Sequence, residues 1–407
     1  MAFSTAGQPE RRQNASVNPL LSAVQVPPIA AAKRWLTAYD GGLGPAVDLS
    51  QAVPGHAPSP AFQQRFLQAA ALPATATYGD ILGDRGLRDA YARETSAAYG
   101  ARIEGTEVAI TAGCNQAFLA SIMAVAEPGS SVLLPQPWYF NHEMTCRMLG
   151  VEVKGLPTRA AAGFVPDVAD AARLIDARTR AIVLVTPNNP TGAIYSPETI
   201  AAFFDLARSR GIHLVLDETY RDFRPGASSG PAHALFQRAG WGDNLISLYS
   251  FSKSHAIPGH RLGALAGGPQ VLEACVKILD CVQICPPRPS QTALLASMEE
   301  SAPWRAERAA EMTDRAATFR AALADLPEWR IDSIGAYFAY VAHPFPDASS
   351  VAVAQALAER FGLLVLPGSF FGPGQEGHLR VAFANVASDG IRRFADRLAR
   401  ARGQLTP

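Results

Sequence analysis

Lysine is scarce in this chain: among 407 residues only Lys33, Lys154, Lys253 and Lys277 carry an amine, and arginine supplies the remaining positive charge. Any chemistry that needs a reactive amine therefore has four candidates. Net charge is missing too. The 36 basic residues balance 36 acidic ones, so no global field draws the protein to nucleic acid or to an anionic membrane. The five cysteines (Cys114, Cys146, Cys275, Cys281, Cys285) are an odd number without a Cys-x-x-Cys pair, which argues for reduced, partly buried thiols and against a disulfide framework or a zinc site. No apolar run approaches the roughly 18 residues of a membrane span, and Arg11 and Arg12 have no uninterrupted apolar stretch behind them. The reading is a cytoplasmic protein with no metal and with neither nucleic acid nor membrane as partner.

What is present is a globular composition, 48% hydrophobic and 18% charged, on a chain long enough for a large core and more than one domain. Residues 1–50 read as an N-terminal arm and part of a small domain, with one helix at 28–39 and a Gly- and Pro-rich end. From 51 to 295, apolar runs of strand length alternate with amphipathic stretches of helix length, the mark of an α/β domain with a mostly parallel sheet. The runs at 108–111, 131–134, 181–185, 212–216, 245–249 and 262–267 are almost continuously apolar, as in strands covered on both faces. Lys154 falls in a further, polar-edged strand. From 296 to 407 the pattern changes to a long helix at 302–326, strands at 334–341 and 379–383, and a last helix at 388–402: a smaller α+β domain.

The unusual residues cluster just past the carboxyl ends of the predicted strands, the edge where open α/β sheets bind ligands. After the first comes "TAGCNQAF", in which the amides of Gly113, Cys114 and Asn115 can face an anion with a helix dipole behind them; an ordinary strand-to-helix turn would look the same. "PQPWYFNHE" places Trp138, Tyr139 and Phe140 in a loop with Asn141 and His142, and one of these aromatics could wall a planar ligand. "TPNNPTG" leaves the Asn189 carboxamide as a directed hydrogen-bonding group. "LVLDETY" ends a buried strand in Asp217, a carboxylate that must meet a cation to be tolerated there, with Tyr220 three residues on. "YSFSKSHAIPGHRLG" supplies Ser250, Lys253 and Arg261. An amine in a partly apolar site has a lowered pKa and attacks carbonyls. Lys33, Lys154 and Lys277 lie in settings where a solvated role is the default. An anion cradle, an aromatic wall, hydrogen-bonding groups, a buried carboxylate and an amine together match what pyridoxal phosphate requires.

With "NNPTG", "DETY" and "SFSK" followed by "HRLG" in this order, the chain resembles the fold-type I, class I/II aminotransferases, the aspartate aminotransferase superfamily, from about Asp48 to about Phe383. The resemblance implies a seven-stranded, mostly parallel sheet flanked by helices, a smaller α+β domain, and pyridoxal 5'-phosphate as cofactor. It makes Lys253 the Schiff-base lysine and proton carrier and Asp217 the partner of the pyridine nitrogen. It gives Asn189 and Tyr220 to the phenolic oxygen, Tyr139 (or its neighbour Trp138) to stacking, and Gly113, Cys114, Asn115, Ser250 and Arg261 to the phosphate. Tyr78, in "YGDILGDRGLRDAYA", resembles a tyrosine that reaches the phosphate of a neighbouring subunit, which implies a homodimer with shared sites. Arg380 in "HLRVAFAN" matches the grip on the substrate α-carboxylate; by its residues alone, a lone Arg there reads as a surface group. Asp280 and Arg288 are candidates for the substrate side chain.

The implied activity is ping-pong transfer of an amino group between an L-amino acid and a 2-oxo acid. The same residues also serve carbon–sulfur β-lyases and aminocyclopropane-carboxylate-type cyclisation, because all begin by deprotonating the same carbon. Two serine-hydrolase lures fail on context: Ser250-x-x-Lys253 lacks its Lys-Thr-Gly partner, and "GASSG" at 226–230 lacks a strand-to-helix elbow. A DNA-binding regulator on this fold would need more basic sequence than the first 40 residues hold.

Overall fold

The computed structural model describes residues 17–225, 230–402 and 404–405; Arg11, Arg12 and residues 226–229 of the "GASSG" loop lie outside the described residues. The strands of the first two thirds are β1 (Val47–Asp48), β2 (Val108–Thr111), β3 (Ser131–Gln136), β4 (Glu152–Pro157), β5 (Thr179–Val185), β6 (His213–Asp217), β7 (Leu245–Ser250) and β8 (Gly263–Ala266). Those of the last third are β9 (Arg330–Gly335), β10 (Phe338–Ala342), β11 (Leu363–Leu364), β12 (Leu366–Pro367) and β13 (His378–Ala382).

Seven strands make one sheet in the order β2-β8-β7-β6-β5-β3-β4. Neighbours from β4 to β7 run parallel, and β8 alone runs against both β7 and β2. Alternate residues feed two different cores, as the period of two in a strand demands. Leu133, Ile182, Leu184, Leu214 and Leu216 pack on one face with Phe203 and Phe204 of the helix Pro197–Ser209. Val132, Val183, Val215, Ile246 and Leu248 pack on the other with Phe118 of the helix Cys114–Val125. Burial on both faces is why these strands read as unbroken apolar runs.

A four-stranded antiparallel sheet, β12-β13-β10-β9, has its own core, in which Val341, Leu357, Phe319 and Phe394 meet Val47 and Leu49 from the start of the chain. β1 pairs with β11, Val47 opposite Leu363, and so fastens the early segment to the late one.

Three expectations need correction. The single strand at 334–341 is a hairpin, β9 and β10, turning at Ala336 (φ +46°) and Tyr337 with Gly335 opposite Phe338; the turn residues are as apolar as their flanks, so hydrophobicity hid it. The helix at 28–39 is α-helical only over Pro28–Lys33 and tightens to a 3-10 turn over Arg34–Ala38. The helix begun at 302 stops at Ala322, ahead of Pro327, which disfavours helical geometry in the residue before it.

Candidate active site

The carboxyl edge of the large sheet opens on a cavity of about 260 Å³, lined among others by Cys114, Asn115, Tyr139, Asn189, Asp217, Tyr220, Ser250, Lys253, Arg261 and Arg380. The first nine end or follow β2, β3, β5, β6 and β7, while Arg380 comes from β13 of the small sheet. Gly113 stands just behind Cys114. Tyr78 is elsewhere, and the residue is 78% exposed.

Asp217 ends β6 and is buried. Burial alone would raise its pKa, but a hydrogen bond and charge from His142, together with the Thr219 N–H, hold the carboxyl below its ordinary value. His142 Nε2 lies 3.3 Å from Oδ2, Thr219 N 2.9 Å from Oδ1, and the Cys114 thiol 3.7 Å from Oδ1. His142 was expected in a loop; it lies on the helix Phe140–Met148, its ring stacked on Phe118 with centroids 3.8 Å apart. It is the hydrogen-bond partner that the buried Asp217 required.

Lys253 sits in the one-turn helix Phe251–Ser254, and its Nζ donates to the Ala52 carbonyl at 2.7 Å. Burial, then the positive charges of Arg261 and Arg380, lower its pKa to about 8. The other lysines differ: Lys33 and Lys277 are on exposed helix surface, and Lys154 pairs with Asp176 at 2.7 Å.

At the start of the helix Cys114–Val125 no side chain caps the first turn, so its leading N–H groups are free for an anion. Gly113 precedes it at φ +85°, and a Cβ there would lie 2.1 Å from Arg261 Nη2. Only glycine allows both that backbone and that approach. Arg261 donates to the carbonyls of Ala112 at 3.1 Å and Pro258 at 3.0 Å. Tyr139 lines the cavity and Trp138 does not. Burial pushes the Tyr139 hydroxyl up to about 12, and burial with nearby Tyr139 raises Tyr220 well above its usual range.

Arg380 is not a surface group: it is 1% exposed. Its Nη1 donates to Asn189 Oδ1 at 3.0 Å, its Nη2 to the Ser50 carbonyl, and its guanidinium lies 5.1 Å and 4.9 Å from the rings of Phe338 and Phe371. Desolvation brings its pKa down to about 10, and its buried Nε has no partner. A buried guanidinium with a free donor is a ready receptor for a carboxylate. Asp280 is exposed on the helix Pro269–Val282, and Arg288 binds the 74–77 turn; neither lines the cavity.

Two participants were not assigned in the sequence. His142 was visible in "NHE", without a signal linking it to Asp217. The Ala52 carbonyl has no side-chain signal at all.

The donor set suits pyridoxal phosphate: uncapped amides and Arg261 for its phosphate, a buried carboxylate for its ring nitrogen, and an amine of lowered pKa for its aldehyde. A family model described as aminotransferase class I and II matches residues 45–398. The valine–pyruvate aminotransferase of Mycobacterium tuberculosis is 30% identical, over 89% of this chain and 94% of that protein. The arginine–pyruvate transaminase of Pseudomonas aeruginosa is 29% identical, over 81% and 83%. A single mutant of Thermus thermophilus aspartate aminotransferase superposes with a TM-score of 0.87 at 25% identity, covering 95% of this chain and 99% of that one. The chain belongs to the class I and II aminotransferases and is a pyridoxal-phosphate-dependent transaminase.

Proposed function

We propose that, within this family, the enzyme transfers the amino group of an L-amino acid with an uncharged side chain to a 2-oxo acid in two half-reactions, working as a homodimer in the cytoplasm. The observation that carries the reading is the buried Lys253 amine, held near neutrality in one cavity with Asp217 and Arg380. The charged residues lining that cavity are Asp217, Lys253, Arg261 and Arg380, each with a role below, and the rest of its wall includes Ile29, Ala52, Val53 and Phe140. Among the described residues of one chain, no charge in this lining is left over to pair with a substrate side chain, which supports an uncharged donor.

Bound pyridoxal phosphate supplies an aldehyde that takes up the amino group and a ring that draws electrons from the reacting carbon. Lys253 is the amine for that aldehyde and carries the proton removed from the substrate Cα. Asp217, kept ionised by His142, holds a proton on the ring nitrogen. Asn189 and Tyr220 hydrogen-bond the phenolic oxygen, and Tyr139 covers the ring. The amides of Cys114 and Asn115, the Ser250 hydroxyl and Arg261 bind the phosphate, with Tyr78 arriving from the second copy; the Gly113 N–H, expected in that set, is donated instead to the Thr111 carbonyl at 2.8 Å. Arg380 grips the α-carboxylate, orienting Cα toward Lys253. The separate cores, and the pairing of β1 with β11, support dividing the chain into an arm with part of the small domain (1–50), a cofactor domain (51–295) and a small domain (296–407).

The test is an absorbance titration of the holoenzyme with alanine, valine, phenylalanine, aspartate, glutamate and arginine, with assays for 2-oxo acid and ammonia. Conversion to the aminated cofactor by uncharged donors, with oxo acid and no ammonia, is expected. Ammonia with the original spectrum restored would move the activity to a lyase, and preference for a charged donor would overturn the side-chain reading.

A further inference from the structure

Of the residues assigned to the cofactor, Tyr78 stands away from the cavity of its own chain, yet the backbone on both sides of it is held firmly. Ahead of it, Arg288 Nη1 donates to the Ala74 carbonyl at 2.6 Å and to Thr77 Oγ1 at 3.0 Å, and Thr77 Oγ1 itself donates to Ala74 O at 2.9 Å. Behind it, the Gly79 N–H donates to Cys285 Sγ at 3.4 Å, and Arg288 fills the place of a side chain: a Cβ on Gly79 would lie 2.9 Å from Nε and 3.0 Å from Cδ. Asp84 Oδ1, 3.4 Å from Nε, orients the guanidinium, and Asp84 is in turn fixed by its N–H to Gln291 Oε1 at 2.7 Å.

Ordering a turn this tightly around an exposed aromatic costs conformational entropy, with no burial in the same chain to offset it. Leu72, Val282 and Ile284, which flank the same turn and its Cys285 contact, are exposed as well. Such a surface is built to present a ring to another molecule.

We propose that Arg288 is a positioning residue: by clamping the 74–79 turn it aims Tyr78 into the active site of the second copy, where the tyrosine hydroxyl steadies the cofactor phosphate. The inference rests on the reading of Tyr78 and the homodimer given above. It also accounts for Arg288 lying away from the substrate side chain in its own chain: its Nη1 is committed to the turn.

The test measures release of pyridoxal phosphate from holoenzyme by absorbance. Tyr78→Phe and Arg288→Gln are each expected to speed release about tenfold, the scale of one charge-assisted hydrogen bond, and the double variant no more than Tyr78→Phe alone. Arg288→Lys, which keeps the charge and most of the volume, should fall between parent and Arg288→Gln, and guards against a glutamine variant that fails to fold. Subunit hybrids locate the effect. Paired with an otherwise unaltered chain, a Lys253→Ala chain that also carries Arg288→Gln should speed release from the partner's intact Lys253 site. Moving Arg288→Gln to the lysine-bearing chain should leave that site at the parent hybrid's rate. Multiplicative effects in the double variant, or identical hybrids, would overturn the clamp alone. Unchanged release in Tyr78→Phe would overturn the reading of Tyr78 and the clamp with it.

Discussion

At the scale of single residues the site works by setting the protonation of groups that water would hold otherwise. Lys253, lowered to about 8 from 10.5 chiefly by burial, has a neutral fraction that grows tenfold per pH unit below that value and saturates above it. The rate at which apoenzyme takes up pyridoxal phosphate should therefore climb from pH 6 to about 8 and then level, as stopped-flow absorbance will show. The same shift has a sign for stability: between about 8 and 10.5 the unfolded chain binds more protons at this position, so its contribution to the apoenzyme's stability rises with pH over that window. Lys253→Ala should reduce kcat by roughly 100- to 10,000-fold, the span of a proton carrier. Arg380→Lys should lower kcat/KM for the amino acid about 30-fold through loss of a forked carboxylate contact. His142→Phe, which can keep the stacking on Phe118, leaves the buried Asp217 carboxylate without its imidazole partner and should cost about 3 kcal/mol in chemical denaturation.

At the scale of elements, the join between β2 and the helix Cys114–Val125 depends on Gly113. An alanine there meets a backbone that costs about 1 to 3 kcal/mol, and its Cβ falls on Arg261. Gly113→Ala should weaken pyridoxal phosphate binding in equilibrium dialysis while leaving the far-UV circular dichroism intact. Element identity was legible wherever one physical signal dominated. Strands buried on both faces read correctly because a short, unbroken apolar run between polar turns suits a covered strand and little else, and the polar residues at their ends led to the cavity. The β9–β10 hairpin was lost because Ala336 and Tyr337 turn the chain without polar residues. Arg380 shows the limit on the polar side: its burial follows from pairing with Tyr340 and Leu366 across the sheet, a long-range fact that local pattern does not contain.

At the scale of the whole molecule, the cavity joins two sheets, and with Tyr78 it would join two copies. Specific activity should therefore fall on dilution in step with loss of the dimer, followed together by sedimentation and assay; full activity in a monomer would remove Tyr78 from the site. The contact between Asn189 and Arg380, 3.0 Å long and spanning 191 residues, also bears on how the protein is made. A ribosome delivers the residues assigned to the cofactor by the time Arg261 emerges, but the proposed carboxylate grip, Arg380, arrives only with β13, about 120 residues later. The growing chain thus has most of a cofactor cradle long before it has a place for substrate, so a prematurely terminated product would retain chemistry for an aldehyde without selectivity for an amino acid.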